Sequence, residues 1–116
     1  MTLDELVHRI TQLIRDADLQ DSVLVERRTA GNGERVQLTR RLNSGVRYLR
    51  IAPVAYADRT WDFEILGGAY GNANPNKNFD GRRGGDASYV LNVVKRWLID
   101  LANWDDIPPS ESRLLQ

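Results

Sequence analysis

The sequence predicts an α+β domain of order α-β-β-β-β-α. Two apolar stripes at helical spacing stand near its ends, and between them lie four segments in which apolar and polar residues alternate with period two. No repeat divides the 116 residues, a length suited to one core.

Thr2 and Glu5 have capping-box spacing, in which each side chain satisfies a free backbone N–H of a starting helix. Leu3, Leu6, Val7, Ile10, Leu13 and Ile14 follow at steps of three and four, so the spacing predicts a helix from about Leu3 to Ala17. Asp16, Asp18 and Asp21 disfavour its negative carboxyl end and close it.

From Ser22 the period becomes two. Val23, Val25 and Arg27 point one way, and Leu24, Glu26 and Arg28 the other. Ala30-Gly31-Asn32-Gly33 supplies residues that tolerate positive φ at a hairpin turn. The strand from Glu34 to Leu42 sets Val36, Leu38 and Leu42 against Arg35, Gln37, Thr39 and Arg41. After Asn43-Ser44-Gly45 comes a third strand, Val46 to Val54, ended by Pro53, which has no N–H for the ladder. Trp61, Phe63 and Ile65 alternate with Asp62 and Glu64 in a fourth. Hairpin connections make this a four-stranded antiparallel meander.

Gly67 to Gly85 holds six glycines, four asparagines and no aliphatic residue larger than alanine. It reads as a long loop, mobile in isolation. Asp86 then caps a second helix whose stripe is Val90, Val93, Val94, Trp97, Leu98 and Leu101. Residues 1–104 form the domain, and 105–116, with Pro108-Pro109, an extended tail. Both helices are expected to cover one sheet face through Leu6, Ile10, Leu13, Val90, Val94 and Trp97, leaving the other face open.

Composition bounds the function. The chain has no cysteine, which removes disulfides, thiol nucleophiles and thiolate-bound metal and fits a reducing cytoplasm. Charged residues punctuate the first fourteen positions, unlike a secretory leader, and no window is apolar enough to span a membrane. The expectation is a soluble cytoplasmic protein. Sixteen basic and sixteen acidic residues cancel, against the basic excess usual in nucleic-acid binders. Fourteen of those basic residues are Arg, the better residue for bidentate and stacked contacts; a GC-rich genome would give the same bias.

Several residues invite chemistry, each with a plainer reading. Asp62 and Glu64, two apart on a strand, could hold magnesium in a nuclease, although Leu66 stands where several such nucleases place lysine. Pairing with Arg47 or Arg50 across strands explains the two acids more simply. His8, the single histidine, has no nucleophile motif beside it. Gly81-Arg82-Arg83-Gly84-Gly85 precedes a helix amino end and could receive an anion, yet it matches no phosphate-loop spacing. Arginines along the middle strands, with Tyr48 and Trp61, have the composition of a nucleic-acid stacking platform, but alternation divides them between faces. Trp97 belongs to the core stripe, and Trp104 lies near the helix end.

The favoured reading is a non-enzymatic binding protein, without cofactor, acting through protein–protein contact. Its expected partner-binding residues are Arg47, Asp62, Glu64, Tyr70, Arg82 and Arg83. In size and architecture the chain resembles small inhibitors, including bacterial immunity proteins that neutralise toxins; the partner would then be a toxin or enzyme. An RNA- or single-stranded-DNA-binding module is the alternative, and a metal-dependent nuclease the third.

Overall fold

Leu3–Asp16 forms helix α1, and its amino end carries the expected capping box, with Thr2 Oγ1 accepting from Glu5 N at 3.2 Å and Glu5 Oε1 accepting from Thr2 N at 3.3 Å. The computed structural model describes residues 1–30, 33–42, 45–54, 62–71 and 81–99, without the side chains of residues 30, 42 and 69–71. The helix ends where Asp18 adopts a left-handed φ of 58° and Leu19 N donates back to Ile14 O at 3.0 Å.

Five strands follow: β1 Val23–Ala30, β2 Gly33–Leu42, β3 Gly45–Pro53, β4 Phe63–Gly71 and β5 Gly81–Gly85. They lie in sequence order, each antiparallel to the next. Helix α2, Ala87–Ile99, closes the fold. Asp86 caps it as expected, its Oδ1 accepting from Tyr89 N at 2.9 Å.

The α+β class and the meander agree with expectation; the strand number does not. The Gly67–Gly85 segment is not one loop. Its first residues extend β4 to Gly71 and its last form β5, while 72–80 lie outside the described residues. Trp61, Trp104 and the expected tail at 105–116 also lie outside them.

Glycine in a strand normally weakens it, but here two glycines admit rings. A Cβ on Gly68 would meet Tyr48 Cε1 at 2.9 Å, and one on Gly85 would meet Tyr89 Cβ and Cγ at 2.8 Å. Each tyrosine covers bare backbone, so aromatic packing supplies what the glycine lacks.

Alternation decides what is buried. Val36 and Leu38 of β2, Leu49 and Ile51 of β3, and Phe63 and Ile65 of β4 face one way. Against them pack Leu3, Leu6, Ile10 and Ile14 of α1 and Tyr89, Val90, Val93, Val94, Trp97 and Leu98 of α2. Leu13, expected in the core, is only half-buried and packs at its margin. Among the described residues no helix is long and apolar enough to cross a membrane.

Two outcomes follow for chemical denaturation. Leu6→Ala and Ile10→Ala should each cost about 2–5 kcal/mol, and Leu13→Ala distinctly less. Gly85→Ala should cost about 1–3 kcal/mol, because the obstruction includes the root of a buried tyrosine. Gly68→Ala should cost less than Gly85→Ala, since it meets the outer end of a half-exposed ring that can turn away.

Candidate functional site

Because the period is two, the burial of one sheet face determines the composition of the other. That second face carries Leu24, Glu26 and Arg28 from β1, and Arg35, Gln37, Thr39 and Arg41 from β2. It continues with Tyr48 and Arg50 of β3, Glu64, Leu66 and Gly68 of β4, and Arg82 of β5. Among the described residues no element packs over it, and Leu24 is 54% exposed.

Its centre is ordered by side-chain contacts. Arg50 Nε donates to Gln37 Oε1 at 2.8 Å, and Gln37 Nε2 donates to Thr39 Oγ1 at 3.1 Å. The Arg50 guanidinium also lies over the Tyr48 ring, 4.8 Å from its centroid. Tyr48 stands directly opposite Gly68, on which its ring rests. Nearer the edges Arg28 Nη2 lies 3.4 Å from Glu26, and Arg82 Nη1 3.5 Å from Glu64. Five arginines thus share this face with two glutamates. Among the described residues no carboxylate pairs with Arg35, Arg41 or Arg50.

On the helix side Arg27, Arg40 and Arg47 are engaged within the fold. Arg27 forms ion pairs with Asp4 of α1 and, at 2.7 Å, with Glu34 of β2. Those hydrogen bonds, to Asp4 first and then Glu34, raise the pKa of its guanidinium above the ordinary arginine value. Arg40 Nη1 donates to Leu98 O at 3.1 Å, where free carbonyls of a helix end need partners. Arg47, directly opposite Arg40, sits 6.0 Å from the Trp97 ring centroid.

Six residues were expected to bind a partner. Glu64 and Arg82 do lie together on the open face. Arg47 does not: it shares parity with Leu49 and Ile51, faces the helices, and is only 5% exposed. Asp62 is exposed but precedes β4; its backbone bonds to Val54 N at 3.0 Å and Gly85 O at 3.1 Å. Arg83 lies opposite Ile65, on the helix side, exposed at the rim near Tyr89. Tyr70 pairs with Val46 in β4, and its side chain is outside the described residues.

The expected partner-binding set omitted Arg28, Arg35, Arg41, Arg50, Tyr48 and Leu24, although the arginines and Tyr48 entered the nucleic-acid alternative. Parity alone would have gathered them, counted outward from Leu38 and Leu49. The anion-binding reading of 81–85 changes too, since those residues are a strand rather than a loop. His8 is exposed on α1.

Elsewhere a groove of about 310 Å³ runs between the helices, floored by Leu13 and Leu91 and rimmed by Arg9 and Lys95. A depression of about 420 Å³ adjoins Thr2, Val54 and Asp62. Neither sets an acid beside a base within a closed site. Among the described residues no three His, Asp or Glu side chains converge as a metal site requires.

Burial raises the Tyr89 phenol above its ordinary 10.0, while Arg83 opposes that shift. Arg83→Gln should therefore raise it further in a spectrophotometric titration. Stability from the neutral phenol is present below the unfolded value near 10 and is lost as pH rises through the folded one. Stability should accordingly decline across that window. Comparison with protein-family models, with curated proteins and with solved structures finds no match to this chain.

Proposed function

We propose that this domain is a non-enzymatic cytoplasmic binding protein that engages a protein partner through the open face of its sheet. The observation that carries the reading is the division of arginines: Arg27, Arg40 and Arg47, facing the helices, are engaged within the fold, while Arg35, Arg41 and Arg50 face outward without a carboxylate among the described residues. Protein interfaces favour Arg, Tyr and apolar anchors mixed with a few charges, and this face offers Tyr48, Leu24 and Leu66 beside its arginines and glutamates. A small inhibitor of the bacterial toxin–immunity kind, holding an enzyme or toxin with an acidic surface, fits this size and architecture.

A second reading, RNA or single-stranded DNA, draws on the same excess of five arginines over two glutamates. Stacking platforms, however, need aromatic rings presented to bases. Tyr48 is committed to Gly68 and Arg50. A nuclease draws no comparable support, because among the described residues no three His, Asp or Glu side chains converge to hold a metal.

Affinity purification with the whole protein as bait, compared between wild type and Arg35→Glu/Arg41→Glu, tests the reading. A protein partner retained by wild type and by the helix-surface control Arg96→Glu should bind the double variant at least about tenfold more weakly. Recovery of nucleic acid instead, with affinity falling log-linearly in salt, would put the second reading in its place.

A further inference from the structure

The sheet also has an unpaired edge. Among the described residues β1 lies at one end of the strand order and pairs with one strand only, β2. Its ladder runs unbroken from Val23↔Arg40 to Ala30↔Gly33, and its eight residues contain no proline. Proteins usually blunt such an edge with a bulge, a proline or a covering element, because its free N–H and C=O groups template another strand. Among the described residues none of these occurs at β1; its remaining protection is the charged run Glu26, Arg27 and Arg28, which the register below either pairs or leaves bound to Asp4 and Glu34. Leu24 in β1 is moreover the only strand residue among the exposed large hydrophobics of the described residues.

We propose that β1 pairs antiparallel with β1 of a second copy, across a two-fold axis perpendicular to the sheet and centred on Arg27. Such an axis keeps each residue on its own sheet face, so only residues of equal parity can stand opposite one another. Centred on Arg27, the pairing sets Glu26 opposite Arg28 of the second copy, and Arg28 opposite its Glu26. Leu24 then faces Ala30.

The neighbouring registers fail on charge or polarity. Centring on Glu26 opposes two glutamates and sets Leu24 against Arg28. Centring on Arg28 opposes two arginines. Centring on Val25 puts Glu26 against Leu24. Opposed unlike charges stabilise a strand pair and like charges weaken it, so the reciprocal Glu26–Arg28 contacts select one register. The single like pair, Arg27 with Arg27, is on the helix side, where each guanidinium is already held by Asp4 and Glu34.

Sedimentation equilibrium of the whole protein tests this independently of the open-face reading. Wild type should approach twice its 13.2 kDa as concentration rises. Glu26→Arg and Arg28→Glu, each alone, turn two attractive contacts into two repulsive ones and should weaken self-association about tenfold or more. An equal mixture of the two variants restores both contacts and should recover the dimer. A wild type still monomeric at about 1 mM overturns the proposal. So does a wild-type dimer that both variants share undiminished, or a mixture of folded variants that stays monomeric. Should either variant fail to fold, amide exchange of wild-type β1 decides: protection that grows with protein concentration upholds the pairing, and protection independent of it refutes it.

Discussion

Val36 and Leu38, Leu49 and Ile51, and Phe63 and Ile65 form one apolar plane across the three central strands, and both helices lie on it. A single sheet face has to receive two amphipathic stripes, because each stripe left in water would forfeit the burial that holds its helix together. The period of two converts that requirement into a rule for every other strand residue. A one-residue slip would send Arg50 and Gln37 into the core and Leu49 and Leu38 to solvent, so register and surface composition cannot vary separately. The open face is therefore a consequence of the core, and its arginines are placed by the burial of their neighbours.

Both helices, four strands, the Thr2–Glu5 box and the Asp86 cap were legible because each rests on local chemistry repeated at a fixed spacing. β5 was not. Gly81-Arg82-Arg83-Gly84-Gly85 has no alternation, and in isolation its glycines signal a turn. What makes it a strand lies elsewhere: the ladder to Phe63–Gly67 and the ring of Tyr89 against Gly85. Those partners are distant contacts, visible only after folding. The end of β4 was missed for the same reason, since Gly68 reads as a loop residue until Tyr48 covers it. Arg47 differs in kind. Its parity with Leu49 and Ile51 was present in the sequence, and its charge concealed it; a guanidinium can enter a margin of the core when an aromatic face receives it. The candidate site was accordingly half legible, with Glu64 and Arg82 foreseen and its arginine centre overlooked.

Zero net charge conceals this sorting. Arg27, Arg40 and Arg47 on the helix side are engaged by Asp4, Glu34, the Leu98 carbonyl or the Trp97 ring, and ordering them serves the fold. Arg35, Arg41 and Arg50 lie on the adjacent strands β2 and β3, Arg50 opposite Gln37 and so diagonal to Arg35, and Arg41 farther along β2 opposite Val46. Like charges so placed repel one another weakly in water, and an acidic partner would relieve that repulsion while gaining attraction. Arg50 is also restrained before any partner arrives, by Gln37 and the Tyr48 ring. A side chain already ordered loses less freedom on binding, so the same contact yields more affinity there than at a freely rotating arginine.

Twist limits how much of this face one partner can use. Neighbouring strands rotate by roughly 20–25°, which accumulates to about 80–100° from β1 to β5. A flat surface can lie against two or three adjacent strands before the sheet turns away from it. The cluster on β2 and β3 falls within that reach; Arg82, two strands beyond β3, does so only for a partner that curves with the sheet. Pairing through β1 would bring a second arginine cluster alongside, on the same side of the enlarged sheet because a perpendicular two-fold keeps the faces together. The rotation between the two clusters would then be set by the strands that separate them. A partner matching that rotation could engage both clusters at once, and one that did not would engage a single copy.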